Sequence, residues 1–288
     1  MSKLIKIVVV LVILAAIGGG YAWAWKTRET KTMQRNERRA VMKEFRALKA
    51  DAILPYLEKL ASEKKFRAVE KPSFPYLSLG FRTRVEAEFI GQLAENAIIR
   101  FAGNGTEGSE DVKGLKAMLD FSHKMLASGD LPSDAADMLK TRMLDAYFLS
   151  KDYDSAVAAI QAGIPGKSPE WAAGTIAKLR AHKAVDAGDK KEAVKQFLEF
   201  GKFLESKEME NFEDCDPTTG IIYSLEWVRA RNFARCAKYS RESGDAAAAE
   251  GYKAKAAELF KKAFEKVSKD NDPKSIEVLK AEMKAEGL

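Results

Sequence analysis

Nineteen uncharged residues, Ile7 to Trp25 (IVVVLVILAAIGGGYAWAW), follow the short basic start Ser2-Lys3-Leu4-Ile5-Lys6. As a helix rising about 1.5 Å per residue, the run is roughly 28 Å long, close to the thickness of a bilayer's hydrocarbon core. A helix that is apolar all round suits lipid better than a soluble core, where one stripe would do. Tyr21, Trp23 and Trp25 stand at its end, where amphipathic rings prefer the headgroup layer. Residues 1–25 are therefore read as a membrane anchor with a globular part behind it. The alternative is a cleaved signal peptide, with Lys3 and Lys6 as its basic start, Ile7–Ile17 as its apolar stretch and Ala22-Trp23-Ala24 as an A-x-A cleavage site. A basic run directly behind a cleavage site would be unusual, which favours the anchor.

The net charge of +6 is concentrated behind this run: residues 26–50 hold nine Lys/Arg against three Asp/Glu. Residues 66–288 hold 34 basic and 36 acidic side chains and are nearly neutral. Lys26, Arg28, Lys31, Arg35, Arg38 and Arg39 are thus candidates for contact with anionic lipid headgroups, at about 1 kcal/mol per basic residue near the surface. Nucleic-acid binding is not expected, because the basic stretch lacks interleaved aromatics and the body is not basic. The same charges bear on orientation. Read strictly, the positive-inside rule puts the C-terminal part in the cytoplasm. A short basic leader before an apolar run is the usual start for export, and on that ground a periplasmic or extracytoplasmic body is expected in a bacterial cell, with the cytoplasmic side as the alternative.

Residues 26–70 read as a basic juxtamembrane helical stalk, in a charged piece at 27–50 and a second piece at 51–65 marked by Pro55. Lys71-Pro72-Ser73-Phe74-Pro75 breaks regular structure, because proline removes a donor and disfavours helix before it. A leading helical region is expected over 71–132, with Val85, Phe89, Leu93, Ala97 and Phe101 at helical spacing. Gly103 to Gly108 (GNGTEG) ends that helix. It lacks the G-x-x-x-x-G-K-[ST] spacing of a phosphate-binding loop and follows a helix, so it is read as a connector.

From residue 133 to 288 the chain reads as helical and repetitive. Tyr147 to Ala156 (YFLSKDYDSA), Ala184 to Ala193 (AVDAGDKKEA) and Tyr239 to Ala249 (YSRESGDAAAA) share one order: a helix end, a tight turn ending in Asp, then a small residue. The turn residues Lys151, Gly188 and Gly244 are 37 and 56 residues apart, and Ala156, Ala193 and Ala249 each follow five positions later. Helices are expected at 189–206 (stripe Ala193, Phe197, Phe200, Leu204), 220–243 (Ile221, Leu225, Val228, Cys236, Tyr239) and 245–268, with a capping helix over Asp272–Glu286. A single stripe cannot be buried alone, so neighbouring hairpins must stack.

This grammar resembles the tetratricopeptide-repeat superfamily over roughly residues 133–268. In that superfamily, helix pairs carry an aromatic late in the first helix, a Gly-Asp-Tyr turn and a small residue early in the second. The spacing departs from the usual period of about 34 residues, and only Tyr153 keeps the turn aromatic. The resemblance implies an all-α solenoid of antiparallel helix pairs, with Tyr147, Tyr153, Ala156, Gly188, Ala193, Phe197, Gly244 and Ala249 as packing residues. It also implies a protein partner held in the groove formed by the first helices.

No catalytic constellation stands out. His123 and His182 are the only histidines, each mid-helix with no H-E-x-x-H partner, and no G-x-S-x-G or G-x-G-x-x-G is present. The acidic stretch from Glu210 to Asp216 does not keep EF-hand spacing and is read as a solvated insertion over 206–219. Such loops often carry specificity. Cys215 and Cys236 are too few for a disulfide framework or a cysteine-based metal site; two separate thiols, with Cys236 in the core, are favoured over a pair. Trp171 and Trp227 are read as core anchors rather than ligand stackers. The expected function is a membrane-tethered, non-catalytic interaction or scaffold protein in envelope assembly or secretion, without cofactor or metal. The alternative is a self-associating structural component of a membrane complex.

Overall fold

The computed structural model describes residues 35–63, 79–103, 110–209, 213–215, 221–270 and 272–287. The apolar run Ile7–Trp25, the basic residues Lys26, Arg28 and Lys31 and the proline segment at 71–75 lie outside the described residues. Among the described residues no helix is long and apolar enough to cross a membrane. The described residues are all-α apart from one short β-ribbon, and the chain divides into two compact units: residues up to Phe101 with Ala117–Leu139, and Ala102–Lys116 with Lys140–Leu288.

The first unit contains α1 (35–47), α2 (Ala50–Glu63), α3 (Leu79–Phe101), most of α4 (Val112–Ala127) and the start of α5 (Ser133–Leu149). Residues 35–63, expected as part of a stalk, belong to this core. Phe45, Ile53, Leu57 and Leu60 are buried, as are Phe89, Leu93, Ala97 and Phe101 of α3, and α2 packs on α3. Ile53, Leu57 and Leu60 follow helical spacing, so the piece has an apolar stripe that must be covered. Arg100 secures the α1–α2 break, its guanidinium donating to the carbonyls of Phe45 (3.0 Å) and Leu48 (2.7 Å). The Phe45 carbonyl also accepts from the Leu48 amide (3.2 Å), a tight bond that closes the end of α1.

The second unit runs from the C-terminal part of α5 through α6 (Tyr153–Gln161), α7 (Pro169–Asp186), α8 (Lys190–Leu204), a 3-10 turn (Lys207–Met209), β1 (Glu213–Cys215), β2 (Ile222–Ser224), α9 (Leu225–Glu242), α10 (Ala246–Asp270) and α11 (Pro273–Ala285). From α6 onward each helix packs on the next in sequence. The recurring turn has a definite geometry. Lys151, Gly188 and Gly244 all sit in the left-handed region, with φ of 61°, 79° and 88°. The next amide reaches back five residues each time: Asp152 to Tyr147, Asp189 to Ala184 and Asp245 to Ser240, all at 2.9 Å. This is the Schellman closure of a helix. The same aspartates then open the following helix, their carboxylates accepting from the amides of Ser155, Glu192 and Ala248. Two adjacent residues thus end one helix and start the next, so consecutive helices must return alongside each other.

The packing follows. Ala184 and Ala181 of α7 cluster with Ala193 and Phe197 of α8, and Ala177 with Phe200 and Leu204, an antiparallel pairing. Gly174 is required here: a Cβ on it would lie 2.4 Å from Cγ of Phe203. Between α8 and α9 the order again reverses. Cys236 joins the Ala193–Phe197 cluster, Asn232 donates to the Phe197 carbonyl (2.9 Å), and Arg229 donates through Nε to the Leu204 carbonyl (2.9 Å). Across α9 and α10, Arg241 pairs with Glu250, and Phe233 stacks on Tyr252. Nearer the start of α9, Trp227, Ala230 and Ala234 bury with Phe260, Ala263 and Val267 of α10 and Leu279 of α11.

Two features depart from the sequence reading. The helix expected from 220 begins at Leu225, because Ile222–Ser224 pairs antiparallel with Glu213–Cys215 (Glu213 opposite Ser224, Cys215 opposite Ile222). The run Ile221-Ile222-Tyr223 favours extended structure, and Ser224 then caps α9 by accepting from the Trp227 amide. Ile221, expected on the helical stripe, instead buries ahead of the helix. Secondly, Ser168-Pro169-Glu170-Trp171 and Ser224-Leu225-Glu226-Trp227 are equivalent starts, 56 residues apart like Gly188 and Gly244. In both, the serine accepts from the tryptophan amide.

Candidate functional site

The second unit gathers its rings and cations along α7 and α9. A chain of rings crosses five helices: Tyr153 (α6), Phe148 (α5), His182 (α7), Phe197 (α8) and Tyr239 (α9), with successive centroids 6.1, 4.9, 5.5 and 6.0 Å apart. His182 meets Phe148 and Phe197 edge-on, and its Nε2 is buried without a hydrogen-bond partner among the described residues. Burial, followed by the charges of Arg235 and Lys178, holds its pKa down at about 3 against the pull of Asp186. The imidazole is therefore neutral at physiological pH and serves as an aromatic ring.

Asp186, one turn beyond, closes the end of α7 onto the start of α6. It accepts from the Tyr153 hydroxyl (2.9 Å) and from Lys151 Nζ (3.2 Å). Burial raises its pKa, but these two donors outweigh that and leave it below the usual carboxylate range. The Tyr153 phenol is raised by burial and by its bond to Asp186.

Basic side chains lie over the rings. Lys178 Nζ is 5.7 Å from the Phe148 centroid and 5.8 Å from that of Phe200. Arg235 lies 5.8 Å over Phe197, and Arg231 lies 4.3 Å over Tyr223 and 5.4 Å from Trp227. Lys190 and Lys238 flank Tyr239. Each is within the range in which a cation is attracted to a ring face. Trp171, Thr175, Lys178 and His182 are half-buried and share one side of α7 at helical spacing. Arg231 and Arg235 are likewise half-buried, one turn apart on α9.

Among the residues singled out from sequence, Ala156, Ala193 and Ala249 are 0% exposed and Phe197 likewise, while Tyr147 and Tyr153 are buried. Of the candidate lipid contacts, Arg35 and Arg39 are exposed, whereas Arg38 is half-buried with its guanidinium 5.2 Å over Phe89. Trp227 is fully buried, its Nε1 donating to Glu282 (2.8 Å); Trp171 is half-buried beneath Lys167. Cys236 is a buried free thiol whose pKa burial pushes up to about 12, which disfavours the nucleophilic thiolate. His123 is exposed. Lys178, Arg231, Arg235 and Glu282 were not singled out from sequence. The visible signal was the pair of arginines at i, i+4 on α9, with Lys178 and His182 spaced alike on α7.

Compared with protein-family models, curated proteins and solved structures, the chain matches none of them.

Proposed function

We propose that this chain is a non-catalytic, membrane-tethered interaction protein. It would hold a segment of a partner protein against the first helices of its hairpins, α5, α7 and α9. The observation that carries the reading is the half-buried basic and aromatic side of α7 and α9, with Lys178, His182, Arg231 and Arg235 set over Phe148, Phe197, Phe200 and Tyr223. Arginine and aromatic side chains are enriched where proteins bind each other. The resemblance of the turns to tetratricopeptide repeats supports the same assignment by analogy, as do the sequential antiparallel helices, which suit an α-solenoid. The anchor at 7–25 would keep the body at the membrane, on the envelope side in a bacterial cell, where it would assist assembly or secretion.

The test is site-specific photo-crosslinking of the full chain in its native membrane. A crosslinker at Thr175 or Lys238 should give a partner adduct, and one at Ala173, an exposed α7 position, should not. Equal adducts from Ala173 would remove the proposed face. Adducts between two copies of the chain would favour a self-associating structural role instead.

A further inference from the structure

Arg231 and Arg235 are one turn apart on α9, and both lay their guanidinium over a ring. Arg231 is complete: its Nε donates to Glu282 Oε2 (2.9 Å) and its Nη2 to Oε1, a two-pronged pair with a carboxylate from α11. Burial alone would lower its pKa, yet the bonds and charge of Glu282 raise it above the usual value. Arg235 has the same platform, the Phe197 ring, but no hydrogen bond or ion pair to any described residue. Its charged neighbours add to the problem. Arg231 repels it, and Glu282, the carboxylate that acts on it, is already engaged. Burial accordingly pushes its pKa below the usual guanidinium range. A half-buried cation that has lost part of its hydration and gained no carboxylate in return is penalised. Packing does not explain its presence, because the equivalent residue 56 positions earlier is Leu179, buried at 4% exposure.

We propose that Arg235 anchors an acidic peptide segment of a partner protein, a carboxylate of which supplies the pairing that Arg231 already obtains from Glu282. The inference rests on the interaction-protein reading above and names the chemistry of the partner. The carboxylate is indicated by the molecule's own filled example at Arg231, since a planar guanidinium matches it in two-pronged fashion. Lys178 adds positive charge near the same place, because it and Arg235 both act on His182. A nucleic acid is a poor fit, since the near-neutral body offers no extended basic field to follow a phosphate backbone.

The test uses the full chain purified in mild detergent and a fluorescein-labelled alternating Glu-Ala peptide, with the Gln-Ala peptide as control. The Glu peptide should bind and the Gln peptide should bind about tenfold or more weakly. Arg235→Gln should cost the Glu peptide about tenfold in affinity, less than the loss at a fully buried charge pair because Arg235 is half-buried, while leaving the Gln peptide unaffected. Arg235→Leu should melt no lower than wild type, because it removes an uncompensated charge. The proposal is overturned if the wild-type chain does not bind the Glu peptide, if the two peptides bind alike, if Arg235→Gln leaves Glu-peptide affinity unchanged, or if Arg235→Leu melts well below wild type. Should it fall while Thr175 and Lys238 still crosslink a partner, only the acidic assignment is lost; loss of those adducts would remove the interaction face itself.

Discussion

Trp171 and Trp227 hold the same place, the third residue of a serine-capped helix, and the two hairpins they open keep a common 56-residue register. Their surroundings differ. Trp227 is 0% exposed, meets Tyr223 edge-on at 4.8 Å and donates to Glu282, because the β-ribbon and α11 cover the start of α9. Trp171 remains half-exposed, with the Lys167 ammonium 5.2 Å from its ring. At the next buried position the first hairpin has Gly174, admitting Phe203 from α8, and the second has Ala230. Identical caps therefore set where both helices begin, while burial depends on which later elements fold back over them. The start of α9 is covered over, whereas the start of α7 keeps one side half-open, and that side continues to Lys178 and His182.

The sharpest break of this comparison is in the tryptophans. Trp227→Ala should cost about 3–5 kcal/mol, as deletion of a fully buried large ring does, and Trp171→Ala only about 1 kcal/mol; chemical denaturation of both variants checks this. Equal costs would mean that the two hairpins are covered alike.

The shared frame should respond alike in both hairpins. Ala193→Leu and Ala249→Leu each force a larger side chain into a fully buried contact and should cost about 1–3 kcal/mol. Ala158→Leu, at an exposed position, should stay within about 0.5 kcal/mol. Unchanged melting of Ala193→Leu would disprove its place at the α7–α8 contact.

Acid should distinguish the hairpins through His182, which has no counterpart in the second. The unfolded imidazole takes up a proton near 6.5 and the folded one only at about 3. The unfolded state thus binds more protons between these values. The stabilisation is full above the unfolded value and falls as the pH drops, by about 1.4 kcal/mol per pH unit, or about 2 kcal/mol by pH 5. His182→Phe, which keeps the ring contacts, should flatten this part of the pH–stability profile. A variant with the wild-type slope would place the acid sensitivity elsewhere.

The smallest effects concern the turns and the gap at Gly174. Gly174→Ala should lower stability by about 1–2 kcal/mol, the crowding against Phe203 outweighing the better helix propensity of alanine. Lys151 holds a left-handed conformation that Gly188 and Gly244 adopt without strain, so Lys151→Gly should stabilise by about 0.5–1 kcal/mol. The ion pair it removes, to Asp186, is largely exposed on the lysine side and contributes little. A destabilised Lys151→Gly would show that the Lys151–Asp186 contact matters more than the backbone.

By itself, the sequence determined the helical class, the positions of the turns and the small buried residues after them. These are local matters: a left-handed residue followed by Asp satisfies one helix end and caps the next with bonds spanning five residues or fewer, so Lys151-Asp152, Gly188-Asp189 and Gly244-Asp245 were legible without knowing what lay across them. Only the tertiary structure decided that residues 35–63 pack into a unit with α3, that Ile222–Ser224 pairs with Glu213–Cys215 instead of extending α9, and that Arg231 finds a carboxylate while Arg235 does not. Each of these turns on a partner many residues away: Arg100 for the α1–α2 break, β1 for β2, and Glu282 for Arg231 and Trp227. A helical stripe or an arginine pair is visible in one dimension, but which of its members will be covered, paired or left open is set by elements that share no local signal with it.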